Sequence, residues 1–348
     1  MKVLLIGGTG TISTAVTALA AQKGYEVTLL NRGHHNDKLP RGVTAIAGDI
    51  HDEEWVNRTF EGTHFDTVAN FLDFEPADFE RSYRLWKGRT NQYIFISSAS
   101  AYQTPLASPI VTESTPLANP FWQYSRNKIA GEEFYLGKYR SEGFPITIVR
   151  PSHTYGEKSL PLSIEGNYGP YTVLERLRQG KKVIVHGDGS SLWTVTFNTD
   201  FAQAFVGLFG NVHAIGEAYH ITSDESLTWN QIHEIIGNAL GRTTAQVDAQ
   251  LVHIPSEIIR ESAPDIGDGL IGDKSNSLIF DNSKIKKAVP EFSATVRFDQ
   301  GVRRSIEYIY SHPECQKVDE AFNRWSDALI EKYEAATADL PKIADFAE

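Results

Sequence analysis

The 348-residue chain is 41% hydrophobic and 22% charged, a balance typical of a folded globular protein and not of a disordered one. Its 44 acidic against 33 basic residues leave a net charge of −11, so a phosphate backbone is not an expected partner. Its one cysteine, Cys315, has no internal disulfide partner and suits a reducing, cytoplasmic setting, while no run of about 18 apolar residues, no HExxH and no Cys/His pair at ligand spacing predicts a membrane span or a metal centre.

The opening run Met1–Ile6 is too short for the apolar core of a signal peptide and is cut off by Gly7-Gly8, so it predicts a first buried strand. Further strands are predicted at Glu26–Leu30, Thr44–Ala47, Asp66–Asn70, Tyr93–Ser97 and Thr147–Arg150. They are continuous apolar runs without in/out alternation, the pattern of strands covered on both faces. Helices are predicted from about Thr11 to Lys23, stopped by Gly24, and from about Tyr124 to Arg140. Strand and helix in alternation give an α/β fold with a doubly wound parallel sheet and right-handed crossovers. Beyond Pro151 the order loosens, with a loop over Gly166–Pro170, a strand at Val183–His186 and a helix at Gln231–Leu240. Residues 1–150 with about 187–212 therefore read as one domain, and 151–186 with about 213–311 as a smaller C-terminal substrate domain. The segment 312–348 reads as a helical tail, amphipathic over Val318–Ala335.

The first strand runs straight into Gly7-Gly8-Thr9-Gly10-Thr11-Ile12-Ser13 and then a helix of small residues. Glycines admit positive φ and close backbone approach to a pyrophosphate, and the helix start offers unpaired N–H groups, which makes this turn a candidate dinucleotide cradle. Gly7, Thr9, Gly10, Thr11 and Ile12 are its candidate contacts. An acidic residue ending the second strand would bond the ribose 2′-hydroxyl, but Asn31-Arg32 stands there, which favours the 2′-phosphate of NADP over NAD. Arg32 has an alternative reading as a solvated charge. Asp49-Ile50 closes the third strand, where Asp49 either accepts from an adenine amino group or caps the next helix.

Tyr124-Ser125-Arg126-Asn127-Lys128 sets a phenol and an ammonium on one helix face. A tyrosine ionises near about 10, so basic action at neutrality needs a shift of about three units, about 4 kcal/mol, which a neighbouring ammonium favours. Ser97-Ser98 ends the fifth strand at the carboxyl edge of the sheet, where open α/β sheets take ligands. By itself the Tyr–Lys spacing also fits a surface pair; the order glycine turn, strand-ending serine, Tyr-x-x-x-Lys is what marks a candidate catalytic set of Tyr124 and Lys128 with a serine of the Ser97-Ser98 pair.

These motifs make residues 1 to about 310 resemble the extended short-chain dehydrogenase/reductases, the NAD-dependent epimerase/dehydratase family. Gly7-Gly8-Thr9-Gly10 matches the cofactor turn, Phe95–Tyr102 the serine segment, in which counting back from Tyr102 implies Ser98 as the catalytic hydroxyl, Tyr124 and Lys128 the base and its helper, Arg150–Gly156 the stretch beside the nicotinamide, and Gly187-Asp188-Gly189-Ser190 the substrate-side turn. The resemblance implies a Rossmann-type fold, an NAD(P) cofactor also touched by Lys128, Pro151 and His153, a small-molecule substrate and a homodimer packed through the Tyr124 helix. It implies redox or epimerase chemistry on a secondary alcohol or ketone, with Asp73, Ser100 and Trp193 as candidate substrate contacts. Ser13 replaces the third glycine, Trp193 stands where nucleotide-sugar enzymes carry a diphosphate-binding arginine, and Ala99-Ser100 replace the acidic pair of dehydratases. Phe71-Leu72-Asp73-Phe74 is similar to an atypical branch that includes chloroplast stem-loop-binding proteins, so a non-catalytic NAD(P)-binding regulator or RNA-binding protein is the alternative reading.

Overall fold

The computed structural model describes residues 1–34, 39–341 and 343. Its strands are β1 (Lys2–Ile6), β2 (Glu26–Asn31), β3 (Val43–Ala47), β4 (Thr67–Asn70), β5 (Tyr93–Ile96), β6 (Ile110–Val111), β7 (Ile146–Pro151), β8 (His153–Tyr155), β9 (Val183–His186), β10 (Leu192–Phe197), β11 (Ala218–Ile221), β12 (Ser226–Thr228), β13 (Leu251–Ile254) and β14 (Ile279–Phe280). Seven of them form a parallel sheet in the order β11-β7-β5-β4-β1-β2-β3. The six strands expected from the apolar runs are all in it, within a residue at each end.

The period of two along a strand explains why these runs are apolar throughout. Val3 and Leu5 join one core with Val27, Leu29, Ala69 and Ile94. Leu4 and Ile6 point the other way, into a second core with Leu30, Val68, Phe95 and Ile148. The first core is closed by α1 (Thr11–Gln22) and by Phe201, Phe205 and Val206, three residues of a later helix. The second is closed by α2 (Glu53–Thr59), α3 (Pro76–Trp86) and α4 (Gln123–Glu142), which bring Val56, Phe79, Trp86 and Tyr135. Each fully buried aliphatic or aromatic side chain contributes about 1.5–3 kcal/mol. Among the described residues no helix is long and apolar enough to cross a membrane.

The chain divides into two compact units. The first holds Met1–Gly156, Thr194–Ser226 and Asn276–Phe298; the second holds Glu157–Trp193, Leu227–Ser275 and Asp299–Glu348. Sequence alone puts 187–193 with the sheet and 213–226 and 276–298 outside it, and the structure has them the other way. The reason lies in pairing and packing: β11 zips onto β7 as an edge strand, and Ile285, Val289 and Phe292 complete the core around Phe205. The second unit carries α5 (Tyr171–Gln179), the parallel pair β9–β13 and the helix Trp229–Ala239. The expected C-terminal tail is part of this unit. Its helix Glu320–Ala338 buries Phe322 and Ile330 and is tied by Asp327 to Arg176 (2.5 Å) and by Glu334 to Lys182. Residues 342 and 344–348 of that segment lie outside the described residues.

Candidate active site

β1 ends in a turn that only glycine can make. Gly7 and Gly8 have φ of +107° and +56°, and a Cβ on Gly8 would sit 2.6 Å from a methyl of Leu29. The turn therefore lies flat on the sheet, and its main chain leads into the N-terminus of α1. Thr17 donates to the carbonyl of Gly8 (2.8 Å) and Asn198 to that of Thr11 (2.9 Å). Ser13, in the third glycine's place, is buried and accepts the Gly10 N–H through its hydroxyl at 2.8 Å. Thr9 and Ile12 are half-buried, while Gly10 and Thr11 face solvent.

Asn31 closes β2 with its side-chain oxygen turned back to accept the Gly33 N–H (2.8 Å), and Arg32 beside it is exposed. Asp49 is exposed and accepts from both the backbone N–H (2.9 Å) and the imidazole (2.7 Å) of His51, which together hold its carboxyl below the usual range. It does not cap the next helix: Asp52 does, accepting from Trp55 N–H at 3.0 Å. Ile50 is in the sheet core, so its main chain is what a ligand would meet. Pro151 ends β7 in a buried position, and His153, half-buried, lies on β8 opposite Val195.

The serine segment and α4 meet through hydroxyls. Ser98 starts a single 3-10 turn, Ala99–Ala101, accepting the Ser100 N–H. The Ser98 and Ser100 hydroxyls are 2.9 Å apart, and Ser125, next to Tyr124, donates to Ser100 at 2.8 Å. Ser98 is the partly exposed end of this chain. Ser100, expected to touch substrate, is only 4% exposed and its hydroxyl is held between two serines, so it acts on Ser98 and not on a ligand.

Lys128 is 2% exposed. Its ammonium donates to the carbonyls of Ile96 (2.8 Å), at the end of β5, and Asp73 (2.7 Å), in the loop after β4. It lies 5.7 Å from the centroid of the Tyr124 ring and 4.4 Å from that of Phe74. Burial pulls it down to about 8, and the nearby carboxylates of Asp73, Asp78 and Glu132 oppose that pull. Tyr124 is half-buried, its ring 4.8 Å from Trp122.

Two further expectations for substrate contacts are corrected. Asp73 is 1% exposed, and its carboxylate accepts from Asn70 (2.7 Å), Ser82 (2.8 Å), Tyr93 (2.7 Å) and Tyr135 (2.7 Å), so it faces the core. Trp193 is 2% exposed and packs 5.9 Å from Trp229 in the second unit, the usual fate of a large apolar surface. Sequence reading also missed Glu132, one turn beyond Lys128. It accepts both forks of Arg150 (2.8 and 2.6 Å) and the Ser97 hydroxyl (2.5 Å), all buried. The i, i+4 step from Lys128 was the available signal. Among the described residues no group of three His, Cys, Asp or Glu side chains could hold a metal ion.

A glycine turn into a helix, a strand-ending serine and a buried lysine beneath a tyrosine on a doubly wound sheet define a Rossmann-fold enzyme of the extended short-chain dehydrogenase class. The chain belongs to the NAD dependent epimerase/dehydratase family, whose defining pattern matches residues 3–222. It is 25% identical over 266 residues to a 2'-dehydrokanamycin reductase of Streptomyces kanamyceticus, covering 76% of this chain and 72% of that one. It is 26% identical over 255 residues to the chloroplast stem-loop binding protein of 41 kDa b of Arabidopsis thaliana, covering 69% of this chain and 63% of the relative. Its fold is similar to that of a UDP-glucose 4-epimerase from Bifidobacterium longum solved with NAD+ and UDP, with a TM-score of 0.72, 18% identity, and 90% and 100% of the two chains covered.

Proposed function

We propose that this protein is an NAD(P)-dependent oxidoreductase or epimerase working on a secondary alcohol or ketone of a sugar derivative. Tyr124 moves the hydroxyl proton, Lys128 favours the phenolate, and Ser98 holds the substrate oxygen. The observation that carries the reading is the buried Lys128 ammonium, fixed by two carbonyls against the Tyr124 ring. The ammonium lies 5.7 Å from the centre of the Tyr124 ring, and a positive charge that near favours the phenolate. Ser98 has the right character for its part, because the hydroxyl chain through Ser100 to Ser125 fixes its orientation before any ligand arrives.

The residues present fit a dinucleotide. Gly7 and Gly8, pressed on the sheet at Leu29, set the main chain low and lead it into the start of α1, whose N-terminus suits a pyrophosphate. NAD(P), when bound there, supplies or accepts the hydride. Arg32 is exposed beside an amide already used in its own turn, which supports a preference for the 2′-phosphate and hence for NADP. The substrate class is supported by relatives named for sugar chemistry, among them a 2'-dehydrokanamycin reductase and dTDP-D-glucose 4,6-dehydratases. A buried Trp193 offers no counter-charge to a diphosphate, and Ala99-Ser100 offer no acid for elimination. Both weigh against a nucleotide-sugar dehydratase. The likeness to a stem-loop binding protein favours a second reading, RNA binding.

Tyr124→Phe tests the reading. With NADPH and a panel of keto-sugars, turnover is expected to fall by about 10²- to 10⁴-fold. Binding of NADPH, followed by its fluorescence, is expected to stay within about twofold, since the phenol oxygen is the atom removed. A Tyr124→Phe protein as active as the wild type sinks the assignment of the base.

A further inference from the structure

The loop Phe71-Leu72-Asp73-Phe74 stands out in the sequence, and its main chain meets the site at the Lys128 ammonium. One of the two carbonyls on the Lys128 ammonium comes from the end of a sheet strand, which is rigid. The other comes from this loop, and loop carbonyls are ordinarily poor anchors. Here the loop is nailed down by its own aspartate. The Asp73 carboxylate is locked by four donors from four elements: Asn70 at the end of β4, Ser82 on α3, Tyr93 on β5 and Tyr135 on α4. Asn70 also accepts the Leu72 N–H (2.8 Å), and Asp78 accepts those of Phe74 (3.0 Å) and Glu75 (3.1 Å).

We propose that Asp73 is the positioning residue for Lys128: its clamped carboxylate holds its own carbonyl oxygen against the ammonium and supplies the counter-charge that keeps a buried cation in place. The inference rests on the reading of Lys128 as the helper of Tyr124. A buried ammonium with no anion near it sheds its proton or leaves its pocket. The charged and titratable groups acting on Lys128 are Asp78 from α3, Glu132 and Tyr124 from α4, and Asp73 from the loop, while Arg81, Tyr93 and Tyr135 face the Asp73 carboxylate. Glu132 is spent on Arg150 and Asp78 on Arg81 (2.9 Å), so both carry their own counter-ions. Arg81 stands off at 4.0 Å from the Asp73 carboxylate. Asp73 opposes the desolvation of Lys128 more than any other group does. Burial pushes the Asp73 carboxyl up, and the hydroxyls of Tyr135, Tyr93 and Ser82 with the Arg81 charge oppose that push in part. Phe74 closes the pocket, its ring over the ammonium.

The experiment reads the phenol and needs no substrate. Ultraviolet difference titration of the full-length protein follows tyrosine ionisation, and subtracting the Tyr124→Phe trace isolates Tyr124. The wild-type step is expected below the usual value of about 10, because a charged Lys128 favours the phenolate. In an Asp73→Asn background, subtracted in the same way, the step is expected to move up by about one unit or more. Tyr135→Phe, which removes one donor and no charge, is expected to shift it the same way by less. A wild-type step at the ordinary tyrosine value sinks the reading of Lys128 as helper. A low wild-type step left in place by folded Asp73→Asn and by Tyr135→Phe overturns the role of Asp73 alone. Should Asp73→Asn fail to fold, Tyr93→Phe joined with Tyr135→Phe decides the same question, since withdrawing both donors from one carboxylate oxygen unclamps the loop carbonyl and pushes the Asp73 carboxyl further up.

Discussion

Arg32 is the residue on which the choice of dinucleotide turns. It is exposed at the end of β2, and Asn31 beside it spends its amide oxygen within the same turn. β2 ends in the amide Asn31 and not in a carboxylate, and a guanidinium pairs with phosphate through two parallel N–H groups. Arg32→Ala is therefore expected to weaken NADPH by about 10- to 100-fold, the worth of one charge-assisted contact, and NADH by no more than about twofold. Calorimetric titration with both dinucleotides checks it, and equal losses for the two would remove the 2′-phosphate role. The placement of Tyr124 and Lys128 on one helix was legible from their spacing, and that of a serine pair at the end of β5 from the apolar run before it. The fate of Asp73 was not legible. Its partners, Asn70, Ser82, Tyr93 and Tyr135, come from four elements, and only the folded sheet brings their donors to one carboxylate.

Helix α4 is unusual among the elements in what it buries. Its inward residues are Ser125, Lys128, Gly131, Glu132 and Tyr135, mostly polar, so no apolar stripe marks its inner face. Its boundaries were still readable, because Gly143 follows the helix in the left-handed conformation and stops it. Gly131 is where the helix comes down on the sheet: a Cβ there would lie 2.7 Å from the Phe95 ring. The next residue, Glu132, neutralises Arg150 in a bidentate pair away from water. Glu132→Gln leaves that guanidinium buried without a counter-charge. Breaking such a pair from one side costs about 3–5 kcal/mol. The midpoint of urea unfolding is expected to fall accordingly with its slope unchanged. A loss under about 1 kcal/mol would mean that water reaches Arg150 and the pair is not structural.

At the scale of the whole molecule, the net charge of −11 bears on the rival reading of an RNA-binding protein. Nonspecific affinity for nucleic acid comes from clustered Lys and Arg releasing counter-ions. The protein is therefore expected to pass through a heparin column at about 50 mM salt without retention, and tight binding there would revive the RNA reading. The parallel sheet was legible as a class, because strands covered on both faces read as near-continuous apolar runs. The assignment of segments to units was not: β11 is four residues long, and the short strand β14 pairs with β6 across a long stretch of sequence. Neither carries a local sign of which unit it serves.

That threading constrains anyone who would dissect the protein. The sheet-bearing unit is assembled from 1–156, 194–226 and 276–298, so its backbone leaves and returns twice. A fragment ending near residue 156 would lack β11 and the aromatic side chains Phe201, Phe205 and Phe292, and would present the bare half of a core to water. Neither unit can be obtained by simple truncation. An isolated dinucleotide-binding piece would need the two excursions replaced by engineered linkers, and stop codons anywhere before about residue 298 should yield aggregates in place of a half-working enzyme.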